Sequence, residues 1–178
     1  MASKILLTGR PGIGKTTVIQ KVVAAGIPLA GGFLTEEIRE PPGRVGFRVK
    51  DIHSGKEGVL AHVRRKRAPK VGKYGVDVAS FDRIGVGALQ EAVRRQGCVI
   101  IDEIGKMELC SKAFRAAVTA VMGSGQPVLA TVPVHRHPFL DALRERDDVT
   151  VIEVTRSGRD DLPPRVVELL GLAGRGRP

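Results

Sequence analysis

An α/β fold is predicted for this chain: a three-layer αβα sandwich with a mostly parallel central sheet and an antiparallel extension to one side. Three observations predict it. The apolar run Ile5-Leu6-Leu7-Thr8 passes through a glycine-rich loop straight into a helical stretch. A second apolar run, Cys98-Val99-Ile100-Ile101, ends on a carboxylate at Asp102. Between them, residues 33–63 hold strand-like segments separated only by short turns, so they pair as hairpins and not as parallel crossovers.

The elements can be justified in order. Lys4 to Thr8 has the continuous apolar character of a buried strand. Thr17 to Ala25 reads as a helix, which Gly26-Ile27-Pro28 ends. Phe33 to Arg39 is closed by Pro41-Pro42-Gly43, and Val45 to Ile52 by His53-Ser54-Gly55. Glu57 to Val63 then runs into a basic stretch. Ser80 is expected to cap a helix over Phe81 to Arg95, weakened by Gly85 and Gly87. Cys98 to Asp102 is the next strand. Ser111 opens a helix with Phe114, Ala117, Val118 and Val121 on one face. Pro127 to Val132 is another buried strand, Phe139 to Arg146 a short helix, Val149 to Val154 the last core strand and Leu162 to Leu170 the last helix. Residues 1–173 are read as one domain and 174–178, Gly-Arg-Gly-Arg-Pro, as a disordered tail.

The loop carries the first chemistry. Gly9-Arg10-Pro11-Gly12-Ile13-Gly14-Lys15-Thr16-Thr17 completes the pattern G-x-x-x-x-G-K-[ST] in its strand–loop–helix setting, and the whole segment is the candidate nucleotide-binding loop. Gly9, Gly12 and Gly14 let the backbone curl round a phosphate with its N–H groups inward. The helix N-terminus behind them favours an anion. Lys15 adds a point charge on the β- and γ-phosphates, and the Thr16 hydroxyl suits a Mg2+ shell.

The second half of the site is Val99-Ile100-Ile101-Asp102-Glu103. Four apolar residues and an aspartate make a Walker B pattern, in which Asp102 holds Mg2+. Glu103 follows at once and points elsewhere, which suits it to orient an attacking water; with Lys15 it is the catalytic candidate. The alternative is that Glu103 starts the next turn and pairs with Lys106. These parts make a P-loop NTPase of the RecA-like, additional-strand type. In that fold the strand after Walker B lies between it and the first strand, where the Thr131 hydroxyl can reach the γ-phosphate. Thr35, Glu36 and Glu37 end an insert strand, where Glu36 or Glu37 either shares in placing water or belongs to a charged edge. Arg159 either stacks on a base or is a surface residue. Arg10, Arg64, Arg136 and Arg159 are the candidates for an arginine facing the transferred phosphoryl group, Arg10 foremost. His135 and His137 make a poor metal site, having no Cys or carboxylate beside them.

Composition narrows the class. At 178 residues with 42% apolar and 27% charged side chains, the chain suits a globular protein with a sizeable core. No run approaches the ~18 apolar residues of a membrane helix, and Met1-Ala2-Ser3-Lys4 leads straight into a strand, so a cytoplasmic protein is expected. Cys98 and Cys110 lack metal-ligand spacing and are read as reduced structural thiols. The net charge of +10 is concentrated in Arg64 to Lys73. That stretch is a solvated loop, a lid over the nucleotide or a nucleic-acid contact; with five Phe, one Tyr and no Trp there is no obvious base-stacking platform.

Three strings together resemble a known family: Gly9-x-Pro11-Gly12-x-Gly14-Lys15-Thr16-Thr17, Gly32-Phe33-x-Thr35-Glu36-Glu37, and Asp102-Glu103-Ile104-Gly105-Lys106-Met107-Glu108-Leu109. They look like the small THEP-type nucleoside-triphosphatases, whose vertebrate members are called cancer-related NTPases. The similarity runs to about Pro163 and takes in Gly46-Phe47, Tyr74-x-x-Asp77 and Val154-Thr155…Arg159…Leu162-Pro163. The resemblance implies slow, Mg2+-dependent hydrolysis of ATP, GTP, CTP and UTP to diphosphate and phosphate, with broad base tolerance. Val134 to Pro138 and Arg64 to Arg67 depart from the pattern. Two other readings stay open: a nucleotide or small-molecule kinase with an acceptor pocket in 33–77, and an NTP-gated nucleic-acid-binding module using Arg64 to Arg67.

Overall fold

The computed structural model describes residues 3–173. The predicted tail at 174–178 lies outside them. Strand β1 (Lys4–Thr8) leads through the glycine-rich loop to helix α1 (Lys15–Ala24), and β2 (Leu29–Glu40), β3 (Gly43–Asp51) and β4 (Glu57–His62) follow as antiparallel neighbours. Two short strands come next, β5 (Lys70–Val71) and β6 (Tyr74–Val76). Helix α2 (Val78–Phe81), a π-helical turn (Asp82–Val86) and α3 (Gly87–Ala92) form one helical run. The rest is β7 (Cys98–Ile101), a 3-10 turn (Glu108–Cys110), α4 (Lys112–Gly123), β8 (Val128–Val132), α5 (Pro138–Arg144), β9 (Val149–Glu153) and α6 (Leu162–Leu169).

Among the described residues, the nine strands join one sheet in the order β5-β6-β4-β3-β2-β7-β8-β1-β9. From β2 to β9 the neighbours are parallel, and from β2 to β5 they are antiparallel. As predicted for the additional-strand type, β8 lies between β7 and β1. Alternation along each strand divides the core. Ile5, Leu7, Ile100 and Leu129 pack with Val18, Ile19 and Val22 of α1 and Val166 of α6. Leu6, Val99, Ile101 and Ala130 pack on the other face with Phe81, Leu89 and Phe114. The three phenylalanines Phe33, Phe81 and Phe114 meet edge to face at ring-centroid distances of 5.1–5.9 Å.

The structure corrects several boundaries. The second strand begins at Leu29, not Phe33. Its first part pairs parallel with β7 and only the remainder antiparallel with β3, so the hairpin insert grows out of a core strand. Gly31 and Gly32 hide this in the sequence by reading as a turn. In the fold, Gly32 has φ 113° and lies against the Ile100 backbone, where a Cβ would collide with the carbonyl. The cap of the 78–92 helical run is Asp77, whose carboxylate accepts from Ser80 N at 3.0 Å, and Ser80 lies buried inside the first turn. Both residues suit a cap; pairing of β6 with β4, which carries the strand to Val76, selects Asp77.

The basic stretch is not simply a loop. Its end forms the β5–β6 hairpin at the sheet edge, pinned by buried Tyr74 against Phe47 at 5.3 Å between ring centroids. The last strand, β9, is an edge strand and not a core strand; Val151 is 41% exposed. Helix α4 is as predicted: the Ser111 hydroxyl accepts from Phe114 N at 2.9 Å, and Phe114, Ala117, Val118 and Val121 are buried. Both cysteines are free, and burial pushes the Cys98 thiol up to about 12. No helix among the described residues is long and apolar enough to cross a membrane.

Candidate active site

The loop leaves β1 at the C-terminal edge of the parallel strands, where ligands of open α/β sheets gather. Its shape rests on glycine. Gly9 has φ 154°, and a Cβ there would come within 2.9 Å of Ile13 Cγ2 and 3.1 Å of the Val154 carbonyl. Gly14, with φ 113°, is the N-cap of α1. Lys15 is 9% exposed, and its ammonium donates to the Gly9 carbonyl at 2.7 Å, spanning the loop. Arg159 buttresses the loop from the other side. Its guanidinium donates to the Ile13 carbonyl at 3.1 Å, and with Gly14, Thr17, Val18, Lys21 and Asp160 it borders a shallow hollow of 190 Å³.

Strand parity delivers the second half. Residues two apart share a sheet face, so Asp102 and Thr131 follow Ile100 and Leu129 onto the face of α1. There the Thr131 hydroxyl donates to Asp102 Oδ1 at 2.6 Å. The other oxygen, Oδ2, is buried without a hydrogen-bond partner. Burial raises the Asp102 carboxyl above its ordinary value, opposed by the Thr131 and Thr16 hydroxyls and by the Lys15 charge. A buried carboxylate oxygen lacking a donor, with a hydroxyl beside it, is a pair of hard oxygen ligands, and the residues fit Mg2+.

The Asp102–Glu103 peptide is cis. Glu103 Oε2 lies 4.0 Å from Lys15 Nζ; the ion pair the sequence suggested with Lys106 is replaced by this one. Burial raises the Glu103 carboxyl and the neighbouring Asp102 adds to the rise, while Lys15 opposes it. Glu103 stands between two hollows. One, of 480 Å³, is bordered by the loop, Thr35, Glu36 and Glu37. The other, of 390 Å³, lies beyond Glu103 toward Met107 and His135.

One carboxyl was not assigned from sequence. Glu108 is 5% exposed, and its Oε2 accepts from Gly105 N at 3.2 Å. Burial, and then the charges of Glu103 and Asp102, push its carboxyl well above the usual range. A Cβ on Gly105 would lie 2.6 Å from Glu103 Oε1 and 2.9 Å from Glu108 Oε2, so the two carboxyls flank one small residue. The available signal was an acid between Met107 and Leu109, both apolar, five residues past Glu103.

The remaining candidates divide. Glu36 and Glu37 are exposed at the rim, and Glu37 is tied to Arg39 at 2.6 Å and Arg44 at 2.8 Å. Arg44 also donates to the Tyr74 hydroxyl at 2.9 Å and lies 4.9 Å over the Phe47 ring. Arg44 was missed because this cluster joins three strands. Arg64 pairs with Glu40 at 2.6 Å and Arg136 with Asp141 at 3.2 Å; neither borders the hollows beside the loop. Arg10 is exposed. Arg65 pairs with Asp77, while Lys66, Arg67, Lys70 and Lys73 are exposed. His137 Nδ1 accepts from Phe139 N at 3.1 Å and caps α5, whereas His135 faces the second hollow.

Known proteins are similar to this chain along nearly its whole length. The family model described as NTPase matches residues 4–167. The nucleoside-triphosphatase THEP1 of Thermofilum pendens is 45% identical over 181 residues, which cover 98% of this chain and 99% of the relative. THEP1 of Thermotoga petrophila is 42% identical over 167 residues, 94% of this chain and 92% of the relative. The crystal structure of THEP1 from the hyperthermophile Aquifex aeolicus superposes with a TM-score of 0.85 at 37% identity, covering 94% of this chain and 98% of that one.

Proposed function

Because this chain belongs to the THEP1-type nucleoside-triphosphatase family and is an NTP hydrolase, we propose that it cleaves ATP, GTP, CTP and UTP to diphosphate and phosphate, slowly, with Mg2+ and little regard for the base. The single observation that carries this reading is the Asp102 carboxylate. One of its oxygens is fixed by Thr131 and the other is buried without a partner, next to a loop lysine that lies 4.0 Å from Glu103.

In this mechanism the loop amides and Lys15 hold the β- and γ-phosphates. Thr16 and Asp102 would hold Mg2+, and Thr131 fixes the Asp102 carboxylate through Oδ1. Mg2+, when bound, neutralises charge on the β- and γ-phosphate oxygens. Glu103 orients a water toward the γ-phosphorus and accepts its proton. The shallow hollow bordered by Arg159 offers a guanidinium plane for the base, which stacking recognises without reading hydrogen-bonding edges.

Phosphate release from the four triphosphates, compared between the natural chain and Lys15→Ala, tests this. Lys15→Ala is expected to weaken triphosphate binding and abolish turnover, because loop amides alone leave the β/γ charge under-neutralised. Unchanged nucleotide affinity by calorimetry would sink the phosphate-loop assignment.

A further inference from the structure

The two hollows beside Glu103 are not separate. Thr16, Thr35, Phe47 and Glu103 border both, so they meet at the end of the loop where a γ-phosphate is expected. Hydrolysis requires only a water on the far side of Glu103. The second hollow has 390 Å³, room for roughly a dozen waters at about 30 Å³ each. Its walls suit something larger. Phe47, Leu60, Val71 and Met107 make an apolar lining, three of them contributed by the antiparallel extension that neither the loop nor the strand-end carboxylates require. Lys106 and His135 also line it, with the carboxyls of Asp102, Glu103 and Glu108, and His135 Nε2 is buried with no hydrogen-bond partner. A buried polar atom in that state calls for a partner.

We propose that this second hollow is a phosphoryl-acceptor site, which takes a small hydroxyl-bearing molecule with a flat apolar body and an anionic or hydrogen-bonding end. The proposal rests on the NTP-hydrolase reading for the phosphate site itself. The body lies across Phe47 and Met107, the polar end meets His135 and Lys106, and the hydroxyl reaches Glu103. The acceptor oxygen then bonds to the γ-phosphorus as the bond from that phosphorus to the bridging oxygen breaks. The nucleoside diphosphate leaves with the electron pair, the hydroxyl proton passes to the Glu103 carboxylate, and the product is a phosphate monoester. Hydrolysis is the same step with water in place of the acceptor. The antiparallel extension thereby acquires a role, since it builds one wall of the site.

The probe is 4-(hydroxymethyl)benzoate, which has the primary hydroxyl, the flat ring and the anionic end. The full chain is incubated with ATP and Mg2+, and phosphorus NMR reads the ratio of phosphate monoester to inorganic phosphate. At equal millimolar concentration the expected ratio is at least ~100-fold above that for ethanol, because a seated hydroxyl gains effective concentration over a free one. Val71→Trp, which fills the hollow, is expected to lower that ratio ~10-fold or more. His135→Ala is a second variant that leaves the apolar wall intact; it is expected to lower the ratio for the benzoate and spare it for benzyl alcohol. Phosphate with no monoester beyond the ethanol level overturns the acceptor site and leaves the hydrolase standing. Neither phosphate nor monoester overturns both.

Discussion

Three acidic side chains lie past the C-terminal end of the central strand β7: Asp102 against Thr131, Glu103 against Lys15, and Glu108 buried beside Gly105. Their environments separate their tasks. Glu103→Gln is expected to leave Mg2+-nucleotide binding nearly intact while phosphate release falls ~100-fold or more, because the amide keeps the shape and loses the base. Turnover within a few-fold of the natural chain would pass the role to Glu36 or Glu37 at the rim. Glu108 gives a pH signature. Its carboxyl is raised by burial and by Glu103 and Asp102, so the folded chain keeps its proton to higher pH than the unfolded chain does. Stability from this group is therefore full below the ordinary carboxyl value of about 4.3 and is lost as pH rises through the raised value. Melting temperature should fall as pH rises above the ordinary carboxyl value more steeply for the natural chain than for Glu108→Gln. Equal slopes would show that Glu108 ionises in the fold as it does in the unfolded chain.

At the scale of elements, the weakest-covered strand is β9, paired on one side only and largely exposed. Its start is held by charge. Lys4 Nζ of β1, only 4% exposed, lies 2.9 Å from Asp148 Oδ2, and Arg146 donates to both Asp148 oxygens at 2.8 and 2.9 Å and to the Met122 carbonyl at the end of α4. Arg146 and then Lys4 hold the Asp148 carboxyl far below the usual range. For a depressed carboxyl, the stabilisation is full above the unfolded value of about 3.9 and declines progressively as pH falls from there through the lower folded value. Asp148→Asn leaves a buried ammonium without its counter-ion and should cost about 1–3 kcal/mol at neutral pH, less than a fully buried pair because the Asp148 side chain is 18% exposed. Denaturant titrations should show the two proteins converging in stability below about pH 3. A constant difference from pH 7 to pH 2 would remove Asp148 as the titrating group.

Across the whole molecule, rate and selectivity follow from where the arginines stand. Arg159 donates to the Ile13 carbonyl of the loop, Arg10 is exposed, Arg44 is held by Glu37 and Tyr74 at the rim, and Arg64 and Arg136 are paired elsewhere. A transition-state arginine contributes ~10³-fold or more to phosphoryl transfer. Turnover without a partner is therefore expected below ~1 s⁻¹. The shallow hollow beside Arg159 offers a face and few edges, so kcat/KM for the four ribonucleoside triphosphates should fall within roughly tenfold, a spread of ~1.4 kcal/mol. A hundredfold preference for one base, or tens of turnovers per second, would contradict this arrangement of the site.

Parts of the fold and site built from residues adjacent along the chain were readable before any fold was known. Gly9 to Thr17 carries its own turn chemistry, and Cys98 to Glu103 carries a strand and its terminal carboxylates, so both were legible without a fold. Ser111 and the 3.6-residue spacing behind it were legible for the same reason. Features that depend on partners far apart in sequence emerged from the folded chain alone. The early start of β2 depends on the Ile100 backbone, and the β5–β6 hairpin on β4 and Phe47. Arg44 depends on a hydroxyl thirty residues away, and Thr131 on a carboxylate twenty-nine residues away. Burial of Glu108 and the open room beside Glu103 arise where β3, β4 and β5 close over the strand ends. Local pattern fixes backbone conformation through a few consecutive dihedrals, whereas cavities and shifted carboxyls come from surfaces that meet only after the sheet has assembled.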